Sequence, residues 1–469
     1  MSFSIITVDK QNRYMLKLNH KIRLKEKVMK NTVTPYMGWN SWDCYGAAVT
    51  EDIVRANADF MAKNLKKYGW EYIVVDIEWS EPAAVNNDYN KFADLTMDEY
   101  GRLIPAVNRF PSSAGGKGFK PLADYVHSLG LKFGIHIMRG IPRNAVHRKL
   151  PILGTNLTAD KIADPASICG WNSGMYGVQD RGEGGEAYYN SIFALYAEWG
   201  VDFIKCDDIA REMPRCVWEL RLLSKCLKNC GRDMVLSLSP GPAKLAFAQI
   251  YRDTSNMWRI TDDFWDSWNA LYAMFERCEK WSIHTSNGHF PDADMLPIGA
   301  IRQVYNKDER THFTEDEQWT MMNLWCIFRS PLMIGGEMTK FDDFTMSLLT
   351  NEKLIEMLKC SRHAHQVWRK NFDELSETPI IALEHPQPHR DTDKEGVLWT
   401  AMKAGGGQYA AAFNIGETEL DFEIKASDLE TEYNCAENIQ TGEKIKFDDS
   451  FTVKLRPHQS AAFLLSSLE

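Results

Sequence analysis

A series of charged and aromatic residues in this chain each follow a short apolar run. In "YIVVDIEW" (72–79) the run ends at Asp76 and Glu78, with Ile77 between them. "LKFGIHI" leads to His136 and Arg139, and "DFIKCD" carries Lys205 into Asp207 and Asp208. "MVLSLS" reaches Ser237 and Ser239, and "MWRIT" leads through Arg259 to Asp262 and Asp263. Trp42 and Asp43 follow "PYMGW" in the same way. So many carboxylates could hold a divalent ion, but Lys205 and Arg259 lie beside them and supply positive charge, which disfavours a Mg²⁺ or Zn²⁺ site. Paired carboxylates flanked by cations and aromatics suit glycoside hydrolysis. An ionised one attacks the anomeric carbon and a protonated one donates to the leaving oxygen. A lone Asp at a strand end is ordinarily a helix cap or a loop ion pair. Asp207 stands above that reading because it follows a buried run and shares its side of the strand with Lys205. A lysine there holds an aspartate ionised, as a nucleophile requires.

These residues need a scaffold that brings strand ends together. The predicted strands begin near 35, 72, 131, 202, 234, 257, 281 ("WSIHT") and 331 ("PLMIGG"). Amphipathic segments such as "EDIVRANADFMAKNLKKYG" and "PLADYVHSLG" lie between them and end at Gly, a common helix stop. Such alternation predicts an α/β fold, a (β/α)8 TIM barrel, whose reactive groups sit at the C-terminal strand ends. After about residue 370 the runs shorten and are broken by Gly, Asn and Pro, which predicts an antiparallel β-sandwich. The expected organisation is an N-terminal extension over 1–30, a catalytic barrel over 31–368 and the sandwich over 369–469. "HAH" at 363–365 has metal-ligand residue types but falls after the last barrel strand.

Bulk properties narrow the function classes. The net charge of −10, with both signs mixed along the chain, argues against a nucleic-acid partner. The 10 cysteines include no CxxC pair and point to reduced thiols in a cytoplasmic protein. The N-terminus has no apolar run suited to a signal peptide, so the "NLT" sequon at Asn156 is expected to be idle. No run approaches ~20 apolar residues, so no membrane span is expected. Fifteen Trp fit a sugar-binding site, and nothing in the composition excludes a homo-oligomer.

"TPYMGWNSWDCYG", "GFKPLADYVHSLGLKFGIHI", "FIKCDD", "WRITDDFWDSW" and "PDADMLPIG" together resemble glycoside hydrolase family 27, the α-galactosidase and melibiase family. The resemblance runs in order from about residue 34 to 340 and implies a retaining mechanism on an oligosaccharide or glycoside, with no cofactor and no metal. It assigns Asp207 as nucleophile and Asp263, rather than its neighbour Asp262, as acid/base. It also implies that Trp42 stacks on the sugar and that Asp76, Lys205 and Arg259 bind its hydroxyls.

The chain departs from the family pattern where the sugar is recognised. "DIEW" stands where α-galactosidases read "DDCW", His136 in "GIH" replaces a tyrosine, and "LSLSPG" offers Ser239 where a Glu is common. The second Asp of "DDCW" helps hold the substrate near O4 and the C6 hydroxymethyl. Ile77 in its place accepts no hydrogen bond and fills space rigidly. Burying an unpaired hydroxyl costs ~1–3 kcal/mol, a cost that galactose without C6 avoids. That sugar is a β-L-arabinopyranoside, and the sequence is similar to the β-L-arabinopyranosidase branch. The alternative is an α-galactosidase in which Ile77 only packs. Two other classes are a non-catalytic sugar-binding protein, disfavoured by retention of both Asp207 and Asp263, and a metal-dependent aldolase or isomerase, which would lose activity in EDTA.

Overall fold

Short apolar runs become short parallel strands here because both of their faces are buried. The computed structural model describes residues 34–179, 182–305, 309–372, 376–377 and 393–467. The predicted extension over 1–30 lies outside the described residues. Eight parallel strands form one sheet: β1 Met37–Asn40, β2 Tyr72–Val75, β3 Lys132–Met138, β4 Phe203–Asp207, β5 Val235–Leu238, β6 Met257–Arg259, β7 Phe290–Asp292 and β8 Leu332–Ile334. β1 pairs with both β2 and β8, and the order then runs through β3 to β7. Leu296 closes the ring between β7 and β8: its N–H donates to Met333 O at 2.8 Å, and Gly335 N–H donates to Leu296 O at 2.9 Å. This is the expected TIM barrel. All but the seventh of the predicted strands are present. "WSIHT" is instead the end of the helix Trp268–Ser282 and the turn after it. That helix starts at Ser267, whose hydroxyl accepts from the Ala270 N–H, and its apolar face carries Trp281 into the core. The seventh strand is the three-residue "FPD".

The two-residue period of each strand divides its side chains between the barrel interior and the surrounding helices. Ile73, Val75, Phe133, Ile135, Ile204 and Trp258 join the large core shared with the helices. Tyr72, Val74, Phe203, Met257, Phe290 and Met333 form a separate apolar plug inside the barrel. Gly134 makes this plug possible, since a Cβ there would lie 2.9 Å from both Phe203 Cβ and Val74 Cγ2. One step further along the same inward rows come Asp76, Lys205, Asp207, Arg259 and Asp292. The barrel is therefore filled with hydrocarbon below and with charge at its mouth.

The second core lies in an antiparallel sandwich. A seven-stranded sheet packs Leu398, Ala410, Ala412, Phe463 and Leu465 against Phe422 and Ile424 of the two-stranded pair Leu420–Lys425 and Ser450–Leu455. Its opposite face, with Val397, Trp399, Tyr409 and Phe413, joins the barrel core. The helix Glu315–Phe328 lies between the two and is buried on nearly all sides. The sheet takes up the chain at Ser361, because the strand Ser361–Asn371 pairs with Glu395–Lys403. The 368/369 boundary expected from sequence thus falls inside a strand. His363 and His365 are on that strand, away from the barrel mouth.

Candidate active site

Four inward side chains on β2, β3 and β4 make a continuous polar floor. Lys205 Nζ donates to Asp76 Oδ2 at 2.7 Å, and Asn40 Nδ2 donates to the same oxygen at 2.7 Å. His136 Nε2 meets Asp207 Oδ2 at 2.7 Å. An ionised carboxylate only accepts, so Nε2 carries the hydrogen of this bond. Burial raises the Asp207 carboxyl, but the hydrogen bond and charge of His136, helped by Lys205 and Ser239, outweigh it. They hold Asp207 well below the usual carboxylate range. Asp76 is likewise held low, since Lys205 and His136 overcome its burial. The second oxygen of Asp207, Oδ1, is buried and meets no hydrogen-bond donor at bonding geometry among the described residues.

Arg259 organises the other side of the mouth. Its Nη1 reaches Asp294 Oδ1 at 2.9 Å and its Nη2 donates to Asp263 Oδ1 at 3.0 Å. The two carboxylates differ in environment. Asp294 is buried, and that burial pushes its carboxyl up to about 7 against the pull of Arg259. Asp263 has 57% of its side chain exposed to solvent. Its neighbour Asp262 turns outward to Arg211, 2.6 Å away. Asp43 is buried, and burial and then the Asp294 charge push its carboxyl up. The Asp43 Oδ2 occupies the place of a Gly335 side chain, 2.0 Å from where a Cβ would be.

Apolar groups line the remaining wall. Ile77 is 3% exposed and clusters with Met138, Cys169 and Met175, against which Trp42 and Tyr89 pack. Trp42 and Tyr89 are stacked, with ring centroids 5.9 Å apart and planes 7° apart, so Tyr89 covers one face of Trp42.

Comparison with known proteins identifies the scaffold. The Melibiase_2 family, described as alpha galactosidase A, matches residues 34–146 and 172–359. The chain belongs to this family. It is therefore a glycoside hydrolase by descent, and no helix among its described residues is long and apolar enough to cross a membrane. A GH27 β-L-arabinopyranosidase from Geobacillus stearothermophilus is similar at 52% identity, covering 92% of this chain and 96% of that one, with a TM-score of 0.85. A variant of that enzyme in complex with arabinose is similar at 51% identity and a TM-score of 0.86, covering 93% of this chain and 98% of that one. Alpha-galactosidase 2 of Arabidopsis thaliana is 27% identical over 328 residues, which are 69% of this chain and 66% of that protein. The match thus spans just under two thirds of the length of that relative.

Within this melibiase-family barrel, the structure brings Asp76, Ile77, His136, Lys205, Asp207, Arg259, Asp263 and Trp42 to one mouth. The direct partner of Asp207 is His136, while Lys205 bonds Asp76 and acts on Asp207 through charge alone. Arg139 is fully buried and bridges Asp208 at 2.8 Å and Glu219 at 3.1 Å, which makes it a strut behind the site. Asn40, Asp294 and Tyr89 escaped the sequence reading. Asn40 stands at the end of a strand-like run and could have been found there; Asp294 follows "FPD", which has no apolar run, and Tyr89 lies in a loop with no periodic signal. Among the described residues, no three or more His, Cys, Asp or Glu are grouped to hold a metal ion.

Proposed function

We propose that the chain is a retaining glycosidase that removes terminal β-L-arabinopyranosyl residues, with Asp207 as nucleophile and Asp263 as acid/base. Asp207 Oδ1, ionised and with no donor at bonding geometry among the described residues, forms a bond to the anomeric carbon as the glycosidic C–O bond breaks. Asp263 gives its proton to the departing oxygen. Asp263 then takes a proton from water, whose oxygen attacks the anomeric carbon and releases Asp207. His136 fixes the orientation of Asp207 through Oδ2, and the Asp76–Lys205 pair supplies one acceptor and one donor group for sugar hydroxyls. The free thiols fit a reducing compartment, and we assign the chain to the cytoplasm.

One observation carries the choice of sugar. The wall after Asp76 is hydrocarbon and sulfur: Ile77, Met138, Cys169 and Met175 offer a C6 hydroxyl only weak sulfur acceptors. A galactosyl hydroxymethyl against that wall loses water without gaining a partner. The neighbours at 52% and 51% identity carry the arabinopyranosidase name, which supports the same reading. The second reading, an α-galactosidase, rests on the names of the curated relatives at about 27% identity. Side-by-side assay of p-nitrophenyl β-L-arabinopyranoside and p-nitrophenyl α-D-galactopyranoside separates them. We expect the arabinopyranoside to lead by at least about tenfold in kcat/KM. A lead for the galactoside makes Ile77 a packing residue only.

A further inference from the structure

The family match stops at residue 146 and resumes at 172, so residues 147–171 lie outside the matched pattern. This segment contributes the strand Ala163–Ile168 to a small antiparallel sheet with Ile141–Pro142 and Met175–Val178. It ends at Trp171, whose ring lies 5.4 Å from that of Tyr89 at 47°. Tyr89 in turn stacks on Trp42. The aromatic row thus runs outward from the sugar-binding wall, and exposure rises along it. Ile77 is 3% exposed, Trp42 and Tyr89 are half-buried, and Trp171 is 37% exposed.

The row is built before any ligand arrives. Asn172 Nδ2 donates to Glu78 Oε1 at 2.6 Å, and Phe92 N–H donates to Ser173 Oγ at 3.0 Å. Asn144 Nδ2 donates to Asp94 Oδ1 at 3.1 Å, and the Arg143 guanidinium sits 4.8 Å from the ring centres of both Phe92 and Tyr176. These contacts fasten the loop that carries Tyr89 to residues 143–144 and 172–173, on either side of residues 147–171. The Tyr89 ring backs the Trp171 indole, which removes part of its rotamer freedom before any ligand binds. Tyr89 also lies within electrostatic reach of Asp207, Asp76 and Asp263.

We propose that Trp171, with Tyr89 behind it, forms a subsite for a sugar ring in the leaving group. This rests on the reading of Asp207 and Asp263 as the reacting pair. A pocket closed at its floor admits the terminal sugar first and leaves the rest of the substrate at the mouth, where Trp171 stands. The broad apolar face of an indole suits the C–H face of a pyranose, with its hydroxyls left in water.

The test compares wild type with Trp171→Ala and Trp171→Phe on two leaving groups. The substrates are 6-O-(β-L-arabinopyranosyl)-D-glucose and β-L-arabinopyranosyl fluoride, with melibiose and α-D-galactosyl fluoride as the matching galactosyl pair. Because kcat/KM reports the step that expels the leaving group, Trp171→Ala should lose about ten- to hundredfold on the disaccharides and under about twofold on the fluorides. Trp171→Phe should retain most of the disaccharide activity. Equal losses on both leaving groups, or no loss on the disaccharides, would overturn the proposal. A wrong assignment of the terminal sugar shows only in the wild-type ratio between the two series. A wrong nucleophile shows only as turnover retained by Asp207→Ala.

Discussion

At the floor of the pocket, bonds of 2.7 Å join side chains of one barrel: Asp76 reaches past β3 to Lys205 on β4, and His136 on β3 meets Asp207 on the neighbouring β4. At the rim, the loop after β2 meets Trp171 through the Tyr89 ring and meets Asn172 through a side-chain bond to Glu78. The floor belongs to the family pattern, and part of the rim does not. The difference separates two tasks. A floor of paired charges sets which atoms react and must be rigid to within a fraction of an ångström. A rim of aromatic faces selects what is attached, and it can change by insertion without disturbing the strands beneath.

The sharpest break in that contrast is Asp207→Ala. Among the described residues, Asp207 is the floor carboxylate held ionised with an oxygen that meets no donor at bonding geometry, so turnover should fall by at least about 10⁴-fold on every substrate. Added azide should restore activity and give a glycosyl azide of inverted configuration, read by NMR. Turnover near wild type without azide would show that the floor does not act through Asp207.

Asp263 stands between floor and rim, tied to Arg259 yet open to water. Asp263→Ala should therefore cost about 10²- to 10⁴-fold on substrates with poor leaving groups and far less on activated aryl glycosides. Initial rates on the arabinosyl disaccharide and the p-nitrophenyl glycoside measure the split. A uniform loss would point to a binding role.

A smaller effect tests the sugar-selecting wall. Ile77→Asp should add an acceptor and raise kcat/KM on the galactoside by about tenfold, while the arabinopyranoside rate falls or holds. Ile77→Ala removes bulk without adding a partner. An equal gain with Ala assigns the exclusion to size; a gain with Asp alone assigns it to the missing hydrogen bond. No gain with either leaves Ile77 as packing.

The floor was legible in the sequence because burial and the two-residue period act locally. Phe203, Lys205 and Asp207 had to share one face whatever surrounded them. Which neighbour each would meet was not legible, since it depends on register between strands far apart in the chain. His136 lies beside Lys205 in that register, yet its bond crosses to Asp207. The seventh strand was missed because "FPD" has no apolar run and contains a proline, while "WSIHT" imitates an alternating strand at the end of a helix. The rim left even less trace. Tyr89 and Trp171 sit outside the strand ends, in polar stretches whose positions are set by tertiary contacts.

The smallest expected effect contrasts the two regions through pH. Burial at the rim pushes the Glu78 carboxyl up to about 7, with the Asn172 bond opposing and Glu81 adding to the rise. The Asp207 carboxyl at the floor moves the opposite way. The folded state thus holds a proton on Glu78 that the unfolded chain releases near its ordinary value of 4.5. Glu78 supports folding fully below that value, and its contribution is lost as pH rises through about 7. Asp207 contributes above its ordinary value of 3.8, and its contribution is lost only as pH falls through its lowered folded value. Glu78→Gln keeps an oxygen acceptor for Asn172 but removes the titration. Its melting temperature should therefore gain on wild type between pH 5 and pH 8, by roughly 1–3 °C for a chain of this size. Melting curves of both proteins at the two pH values give the answer. A difference that does not grow with pH would mean that Glu78 is already ionised in the folded rim.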